Sequence, residues 1–212
     1  QTEQDFELIV VDNGSTDETV HALAPLGNQL FGSLFAPIRW EENRNFGPAC
    51  NAGAAAARAP MLFFLNNDTL LTPNWLPPLL EAFETDPRLG AVGPLLLYED
   101  GTVQHMGVAF HAPFGVSHLY ARFPATHRVV TQKRKLQALT AAALMLPKTL
   151  FQDCGSFYPE YRNGFEDVEL SLRIVQQGHT LQCIPSSKII HLESQTPGRN
   201  LDGGYNSQVL YS

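Results

Sequence analysis

The chain contains an apolar run, Met61–Leu65, that stops at the polar residues Asn66, Asn67 and Asp68. A short unbroken apolar run is typical of a strand buried on both faces of a parallel sheet. Because open α/β sheets bind ligands at the carboxyl ends of their strands, we expect Asp68 to present its carboxylate to a cleft. Asparagine and aspartate are also favoured turn residues, so the segment alone equally fits a turn that only closes the strand.

Two further strand-and-helix units precede this run. Residues 6–11 form an apolar, β-branched run that ends at Asp12, and a second strand, Phe35–Trp40, leads to an alanine-rich helix at residues 49–58. Strands that alternate with helices predict an α/β fold with a parallel, doubly wound sheet. At Asp12, an Asx turn and a carboxylate that binds a nucleobase or ribose are both open readings.

The composition limits the class of protein and its partners. The chain has 212 residues, of which 44% are hydrophobic, and this suffices for one domain with a sizeable core. A net charge of −7 without a basic stripe argues against nucleic acid as a partner. No apolar run approaches the roughly 18 residues of a membrane span, and the three cysteines lack a zinc-binding spacing. We therefore expect no transmembrane segment and a cytoplasmic location, including the inner face of the membrane.

Two later segments carry carboxylates and a histidine. Glu166 and Asp167 precede an amphipathic pattern and should lie in the first turn of a helix, where acidic side chains also suit the helix dipole. If that helix faces the cleft, one carboxylate can serve as general base for an acceptor hydroxyl. His191 ends the apolar strand at residues 187–190, where a lone histidine is more often structural. Together with Asp68, however, it suits Mn²⁺ or Mg²⁺ when diphosphate oxygens supply the other ligands.

Several motifs, in chain order, are shared with one enzyme family. They are Val-Val-Asp-Asn-Gly-Ser-Thr-Asp at 10–17, Asn-Phe-Gly at 45–47, Asn-Ala-Gly at 51–53, Phe-Leu-Asn-Asn-Asp-Thr at 64–69, Gly-Phe-Glu-Asp-Val-Glu-Leu at 164–170 and Ile-Ile-His at 189–191. On these motifs the chain resembles the family 2 glycosyltransferases, which are inverting enzymes of the GT-A fold that use nucleotide-diphosphate sugars. The resemblance is to the bacterial branch that builds surface polysaccharides and includes rhamnosyltransferases.

The resemblance implies a role for each matching residue. Asp167 would be the general base with Glu166 in support, and Asp68 and His191 would bind Mn²⁺ or Mg²⁺. The family's commonest metal motif has aspartate where this chain has Asn66, so metal affinity without nucleotide should be low. The residues implied in substrate binding are Asp12, Asn13, Ser15, Asn45, Asn51, Asn66, Asn67 and, in a loop beyond His191, Arg199.

The implied fold is a single GT-A domain over residues 1–212. It has a Rossmann-like, mostly parallel central sheet flanked by helices, and a small antiparallel sheet on the acceptor side. Residues 1–68 would bind the nucleotide, and residues 69–212 would bind the acceptor and the metal. Family members open with an interior strand that is missing here, so we expect the native protein to be longer and this chain to self-associate through exposed sheet edges.

The function implied is transfer of a sugar, with inversion, from a nucleotide-diphosphate sugar to a hydroxyl of a saccharide or lipid-linked saccharide. Two alternatives stay open. Asn66 would also suit a non-catalytic sugar- or nucleotide-binding module with a degenerate site. A nucleotidyltransferase would share the nucleotide-binding core, although no glycine-rich basic loop follows the first strand. In the middle of the chain we expect strands at residues 90–98, 103–110 and 137–146.

Overall fold

The computed structural model of the chain describes residues 6–112, 115–132, 134–192 and 203–211. The strands in these ranges are β1 (Leu8–Asn13), β2 (Phe35–Trp40), β3 (Met61–Leu65), β4 (Thr69–Leu71), β5 (Leu89–Leu97), β6 (Val103–His105), β7 (Val108–His111), β8 (Gly115–His118), β9 (Ala143–Pro147) and β10 (Thr180–His191). The helices are α1 (Thr19–Phe31), α2 (Phe46–Ala56), α3 (Pro77–Thr85), α4 (Arg128–Thr131), α5 (Lys148–Asp153), α6 (Glu166–Gln176) and α7 (Gly203–Tyr211). Among the described helices, none has the length and apolar character that a membrane crossing requires.

The central sheet has the strand order β3-β9-β5-β10-β4, and β6 pairs with the end of β5. β5 and β10 run parallel, whereas β9 runs antiparallel to both β3 and β5, and β4 runs antiparallel to β10. β1 and β2 form a separate parallel pair, and β7 and β8 form a small antiparallel pair.

The predicted α/β class is confirmed, and the central sheet differs from the expectation in being mixed. The strand next to β3 is β9, which pairs with it in the antiparallel direction, so that Met61 lies opposite Pro147 and Leu65 opposite Ala143. A strand that is covered on both faces has the same apolar pattern whichever way its neighbour runs. The pattern of β3 therefore predicted its burial but not the direction of its partner.

The core lies on both faces of β5, in which all nine residues are buried. Leu79 of α3 and Trp75 pack on one face, with Val92 and other alternate residues of the strand. Phe151 and Phe157 belong to the cluster on the opposite face. Burying each such side chain is worth about 1.5–3 kcal/mol. The central strands therefore form the stable support from which the loops at the carboxyl edge project.

The β1–β2 pair is less deeply buried than the central sheet. The apolar residues of β1 are only half-buried, and among the described residues no strand pairs with its second edge or with the outer edge of β3. Helix α2 packs on β1 at Gly53, where an added Cβ would lie 3.5 Å from Val11 Cγ2 and 3.9 Å from Ile9 Cγ2. A methyl group at this position would thus make ordinary van der Waals contact with β1.

Two segments predicted as long strands are shorter. Residues 103–110 contain β6 and β7, which are separated at Gly107, where φ is 130° and a side chain would be strained. As a result, of these two strands only β6 pairs with β5, and β7 pairs with β8. Within residues 137–146, only the part from Ala143 onward is a strand. Residues before it are buried but irregular, because side chains of other elements bind their backbone amides, as described below.

Candidate active site

The two predicted metal ligands meet at the carboxyl end of β10. β4 pairs with β10 so that Thr69 lies opposite His191, and the amide of Leu192 donates to the backbone oxygen of Asp68 at 2.9 Å. This register places the Asp68 carboxylate oxygen Oδ1 at 3.1 Å from Nε2 of His191. Both side chains are largely buried.

This pair of atoms fits a divalent cation. Asp68 Oδ1 is buried and accepts no hydrogen bond from the described residues. Because an unpaired buried carboxylate oxygen is costly, a shared proton or a cation is needed between it and His191. A carboxylate and an imidazole nitrogen suit Mn²⁺, and neighbouring ligands with bonds of about 2.1 Å lie about 3 Å apart. The observed separation is close to that value.

The described residues supply few ligands at this position. Among the residues that the structure describes, no group of three histidine, cysteine or acidic side chains could hold a metal ion. The Asn66 amide nitrogen lies 3.4 Å from His191 Nε2, and Asn67 is exposed in the turn between β3 and β4. Any cation bound here would therefore take further oxygen ligands from outside the described residues.

The two acidic residues lie in the first turn of α6, as predicted. Glu166 is buried, and its Oε2 accepts a hydrogen bond from the amide of Gly164 at 2.6 Å. Asp167 is half-buried, and its Oδ2 and Oδ1 accept from the amides of Ala141 at 2.9 Å and Val168 at 2.8 Å. Each carboxylate oxygen of Asp167 has a second lone pair that could accept a proton. Asp167 is therefore the better placed of the two for general-base chemistry.

An irregular stretch at residues 139–142, which we call the 139–142 segment, joins Asp167 to the two predicted metal ligands. Its amide bonds are Leu139 N to Ser171 Oγ (3.2 Å), Thr140 N to His105 Nε2 (3.2 Å) and Ala141 N to Asp167 Oδ2 (2.9 Å). At the end of the segment, the oxygen of Ala142 accepts from the amide of Asn66 at 2.9 Å. Asp167 is thus connected, through two adjacent residues, to the loop that carries Asp68.

His105 is a buried neutral partner of this segment. Burial, followed by the charges of His118 and His191, lowers the pKa of His105 well below 6.5. Its Nε2 accepts from Thr140, so the proton is on Nδ1, which lies 2.6 Å from Nδ1 of His118. His105 therefore acts here as a hydrogen-bond acceptor for the segment.

Helix α2 lies close to the acidic pair. Burial, then the negative charges of Glu166 and Asp167, raise the pKa of the Cys50 thiol to about 12. Asn51, predicted to bind substrate, donates to the oxygen of Phe157 at 2.8 Å and accepts from its amide at 3.0 Å. Asn51 thus joins α2 to the loop that leads to α6.

The end of β1 carries Asp12, which is almost fully buried. Its Oδ1 accepts from the amide of Ser15 at 2.9 Å, and its Oδ2 accepts from the guanidinium of Arg39 on β2. Burial opposes ionisation, but the bonds from Ser15 and Arg39 hold the pKa of Asp12 below its usual value. Asp12 is therefore an ionised carboxylate that orients Arg39 at this edge.

Asparagine side chains connect the end of β1 to the loop before α6. Asn13 donates to Asn43 Oδ1 at 3.0 Å and to the oxygen of Asn45 at 3.1 Å. Asn163 accepts from the amide of Phe46 at 2.9 Å and donates to Asn45 Oδ1 at 3.3 Å. These contacts bring the predicted nucleotide-side residues next to the loop that precedes Asp167.

The family model described as Glycosyl transferase family 2 matches residues 1–155. The chain belongs to glycosyl transferase family 2. The chain is 32% identical over 195 residues to the O-antigen biosynthesis protein RfbC of Myxococcus xanthus, covering 89% of this chain and 15% of that protein. It is 26% identical over 225 residues to an N-acetylglucosaminyl-diphospho-decaprenol L-rhamnosyltransferase of Mycobacterium tuberculosis, covering 94% of this chain and 70% of that protein.

A third relative, the uncharacterized protein y4gI of Sinorhizobium fredii, is 31% identical over 201 residues, covering 91% of this chain and 22% of that protein. The chain thus spans 15% and 22% of the lengths of RfbC and y4gI. The predicted resemblance to the bacterial polysaccharide and rhamnosyltransferase-like branch of family 2 is confirmed by these relatives.

Solved structures confirm the GT-A fold of this family 2 domain. GalNAc-T7 with UDP, GalNAc and Mn²⁺ superposes with a TM-score of 0.70 at 21% identity, covering 87% of this chain and 37% of that one. The mannosyltransferase PcManGT from Pyrobaculum calidifontis, in complex with GDP-Man and Mn²⁺, superposes with a TM-score of 0.65 at 16% identity, covering 92% of this chain and 50% of that one. At these identities the likeness shows the fold alone.

The structure brings most of the predicted site residues of the family 2 domain to one edge, and Arg199 lies outside the described residues. Sequence reasoning missed Arg39, Asn43, Gln104 and Asn163. Arg39 could have been noticed as a cation in an otherwise apolar strand, paired in register with Asp12. Nothing local distinguishes Gln104, a buried residue of β6 that contacts His191.

Proposed function

We propose that this domain transfers a sugar from a nucleotide-diphosphate sugar to an acceptor hydroxyl with inversion at the anomeric carbon. The observation that carries the proposal is that Asp68 Oδ1 and His191 Nε2 face each other at 3.1 Å, and that residues 141 and 142 connect the Asp68 loop to the Asp167 carboxylate. A paired carboxylate and imidazole beside a separate general base is what a metal-assisted displacement requires.

Asp68 and His191 would hold Mn²⁺ or Mg²⁺ together with the diphosphate. The bound cation supplies charge stabilisation for the departing nucleoside diphosphate. Gln104 and the pairing of β10 with β4 keep His191 in place, and the Leu192 amide fixes the backbone of Asp68. That both superposed glycosyltransferases contain Mn²⁺ supports a divalent cation in this role.

Asp167 would accept the proton of the acceptor hydroxyl. The hydroxyl oxygen forms a bond to the anomeric carbon while the bond from that carbon to the phosphate oxygen breaks, and the proton passes to Asp167. Two amide hydrogen bonds fix the orientation of its carboxylate before the substrate arrives. Such general-base catalysis contributes about 10²–10⁴-fold. Glu166 supports this geometry by bonding the Gly164 amide in the loop before the helix.

The nucleoside would lie against the end of β1. There, Asp12 binds the guanidinium of Arg39. The side-chain amide of Asn13 orders residues 43–45, because its NH₂ group donates to Asn43 Oδ1 and to the backbone oxygen of Asn45, and its oxygen accepts from the amide of Arg44. Gly14 has a φ of 85°, and a Cβ at this position would lie 2.6 Å from the amide nitrogen of Asn43. The close contact leaves the turn in one conformation, which presents polar groups to a base or ribose.

The acceptor would approach from the side of the β7–β8 pair. Phe110 and Val116 of this pair, together with Leu210 of α7, pack against a cluster that includes Val168, next to Asp167. A saccharide or lipid-linked saccharide is the acceptor class that we propose. It agrees with the name of the Mycobacterium tuberculosis relative, a rhamnosyltransferase of a diphospho-decaprenol-linked sugar.

A thermal-shift titration with UDP, dTDP and GDP, each in Mn²⁺ and in EDTA, tests the proposal. One nucleotide at 100 times its Kd should stabilise the fold by about 2.7 kcal/mol. For a chain of this size that free energy corresponds to a rise in Tm of about 5–11 °C. The rise should be much smaller in EDTA, because two protein ligands bind the ion weakly without phosphate.

Asp68→Asn should remove the difference between Mn²⁺ and EDTA, whereas Asp153→Asn should retain it. Asp153 is an exposed carboxylate at the end of α5 and serves as the matched control. Equal stabilisation of the wild-type protein in Mn²⁺ and EDTA would contradict the metal assignment. Nucleotide-sugar turnover in Mn²⁺ then tests transfer itself.

A further inference from the structure

Gln104 of β6 makes two hydrogen bonds to one residue, His191. Its Nε2 donates to the backbone oxygen of His191 at 3.0 Å, and its Oε1 lies 2.7 Å from Nδ1 of the ring. Both residues are buried, with 2% and 4% of their surfaces exposed. They lie on two strands that both pair with Leu97 of β5, since Val103 and Ile190 are its partners. Gln104 therefore reaches His191 past the end of β5.

The hydrogen bonds define which ring nitrogen of His191 carries the proton. The backbone oxygen of His191 can only accept, so the amide group facing it must be the NH₂ of Gln104. The other amide atom is then Oε1, which can only accept, and its partner Nδ1 must donate. In the neutral ring the lone pair is consequently on Nε2, the nitrogen that lies 3.1 Å from Asp68 Oδ1.

We propose that Gln104 is a positioning residue that fixes His191 in the tautomer able to bind a divalent cation through Nε2. The inference rests on the proposed metal site. A ring with its proton on Nε2 would direct an N–H group at the cation, and a ring rotated about its side chain would point away from Asp68. Gln104 prevents the other tautomer and the rotation of the ring, because its amide group binds both the ring and the backbone of His191.

If Gln104 only stabilises the fold, two variants that destabilise the protein should weaken Mn²⁺ binding equally. If Gln104 fixes the tautomer of His191, the variant that keeps the acceptor for Nδ1 should bind Mn²⁺ more tightly than the one that loses it. Gln104→Glu keeps an oxygen that accepts from Nδ1 but loses the NH₂ donor to the backbone. Gln104→Met has a similar length and loses both bonds. Both variants should lower the Tm measured in EDTA, since each leaves a buried polar group of His191 without its partner.

Metal binding should distinguish the two variants. Loss of such a supporting hydrogen bond costs about 10–100-fold in metal affinity. With saturating UDP or dTDP, Gln104→Met should weaken Mn²⁺ binding, measured by electron paramagnetic resonance of the free ion, by at least about tenfold. Gln104→Glu should bind within about threefold of wild type, because the acceptor for Nδ1–H remains.

The tautomer can be measured without any metal. Histidine ring ¹⁵N spectra of the metal-free protein, with the His191 signals assigned by their loss in His191→Ala, should show a proton on Nδ1 in wild type and in Gln104→Glu. In Gln104→Met the Nδ1 proton loses its acceptor, so the signals should show the proton on Nε2, where Asp68 Oδ1 can accept it.

Two results would overturn the inference. One is equal Mn²⁺ affinity in wild type and Gln104→Met, and the other is equal weakening in Gln104→Met and Gln104→Glu. If the wild-type protein with nucleotide binds no Mn²⁺ at all, the proposed metal site fails and this inference fails with it. That outcome is distinct from a failure confined to the Gln104 variants.

Discussion

Asp167→Asn tests the proposed general base, and the structure predicts separate effects on stability and on activity. Both carboxylate oxygens of Asp167 accept backbone amides, from Ala141 and Val168. An asparagine side chain has one oxygen and one NH₂ group, so it can satisfy only one of the two amides. The lost bond was made to a charged group and is worth about 1.5–3 kcal/mol. We therefore expect Tm to fall by about 3–12 °C.

The expected effect on turnover is larger than the effect on stability. At a temperature where the variant is still fully folded, loss of the base should reduce kcat by about 10²–10⁴-fold. Nucleotide binding should be nearly unchanged, since proton removal belongs to the transition state. The assay is donor turnover with an acceptor, beside a Tm measured with and without nucleotide and Mn²⁺.

Ser171→Ala is the matched control for the structural part of this effect. It removes the bond from the Leu139 amide to Ser171 Oγ, in the same 139–142 segment, and leaves Asp167 unchanged. Losing this neutral bond should cost about 0.5–1.5 kcal/mol of stability. Turnover by the folded Ser171→Ala protein should fall by less than about tenfold. If Asp167→Asn is no less active than Ser171→Ala, Asp167 is not the base.

Three further predictions follow from burial and from the sheet edges. The free energy of unfolding should fall as pH drops below 6.5, because buried His105 has a lowered pKa and takes up a proton only on unfolding. Urea titrations at about pH 7 and about pH 5 measure this loss of stability, and the loss should be smaller in His105→Gln. Cys50, whose pKa is raised to about 12, should resist iodoacetamide at about pH 8 in the native protein and react after denaturation; rapid native labelling would contradict the site geometry. The chain should also associate as its concentration rises, because β1 and β3 each have an edge without a strand partner among the described residues; light scattering that finds a monomer throughout a dilution series would refute this.

The sequence predicted the parts of the site that depend on local pattern. An apolar strand that ends at Asp68, an acidic pair opening an amphipathic helix, and a histidine at the end of a strand were each visible in a few consecutive residues. Their presence at one edge agrees with the general rule for ligand sites in α/β sheets. The resemblance to family 2 then gave each residue an expected role.

The parts that could not be predicted depend on contacts between distant residues. Gln104 and His191 are 87 positions apart, and only the three-stranded arrangement around β5 brings them together. The alanine-rich residues before Ala143 have the composition of a buried strand. In the fold, His105, Asp167 and Ser171 bind the amides that a neighbouring strand would otherwise bind. Hydrophobicity reports burial, but it does not report which group satisfies a buried amide.

The separation of the β1–β2 pair from the central sheet has a consequence for the cooperativity of unfolding. No strand pairing joins the two sheets in the described part of the chain, and helix α2 connects them instead, since it packs on β1 at Gly53 while Ala54 belongs to the central core cluster. Sheets that share no hydrogen-bonded ladder can open as separate cooperative units. A nucleotide sugar that contacts Arg39 in one unit and Asp68 in the other would couple their opening, so donor binding would itself make the domain unfold as a single unit.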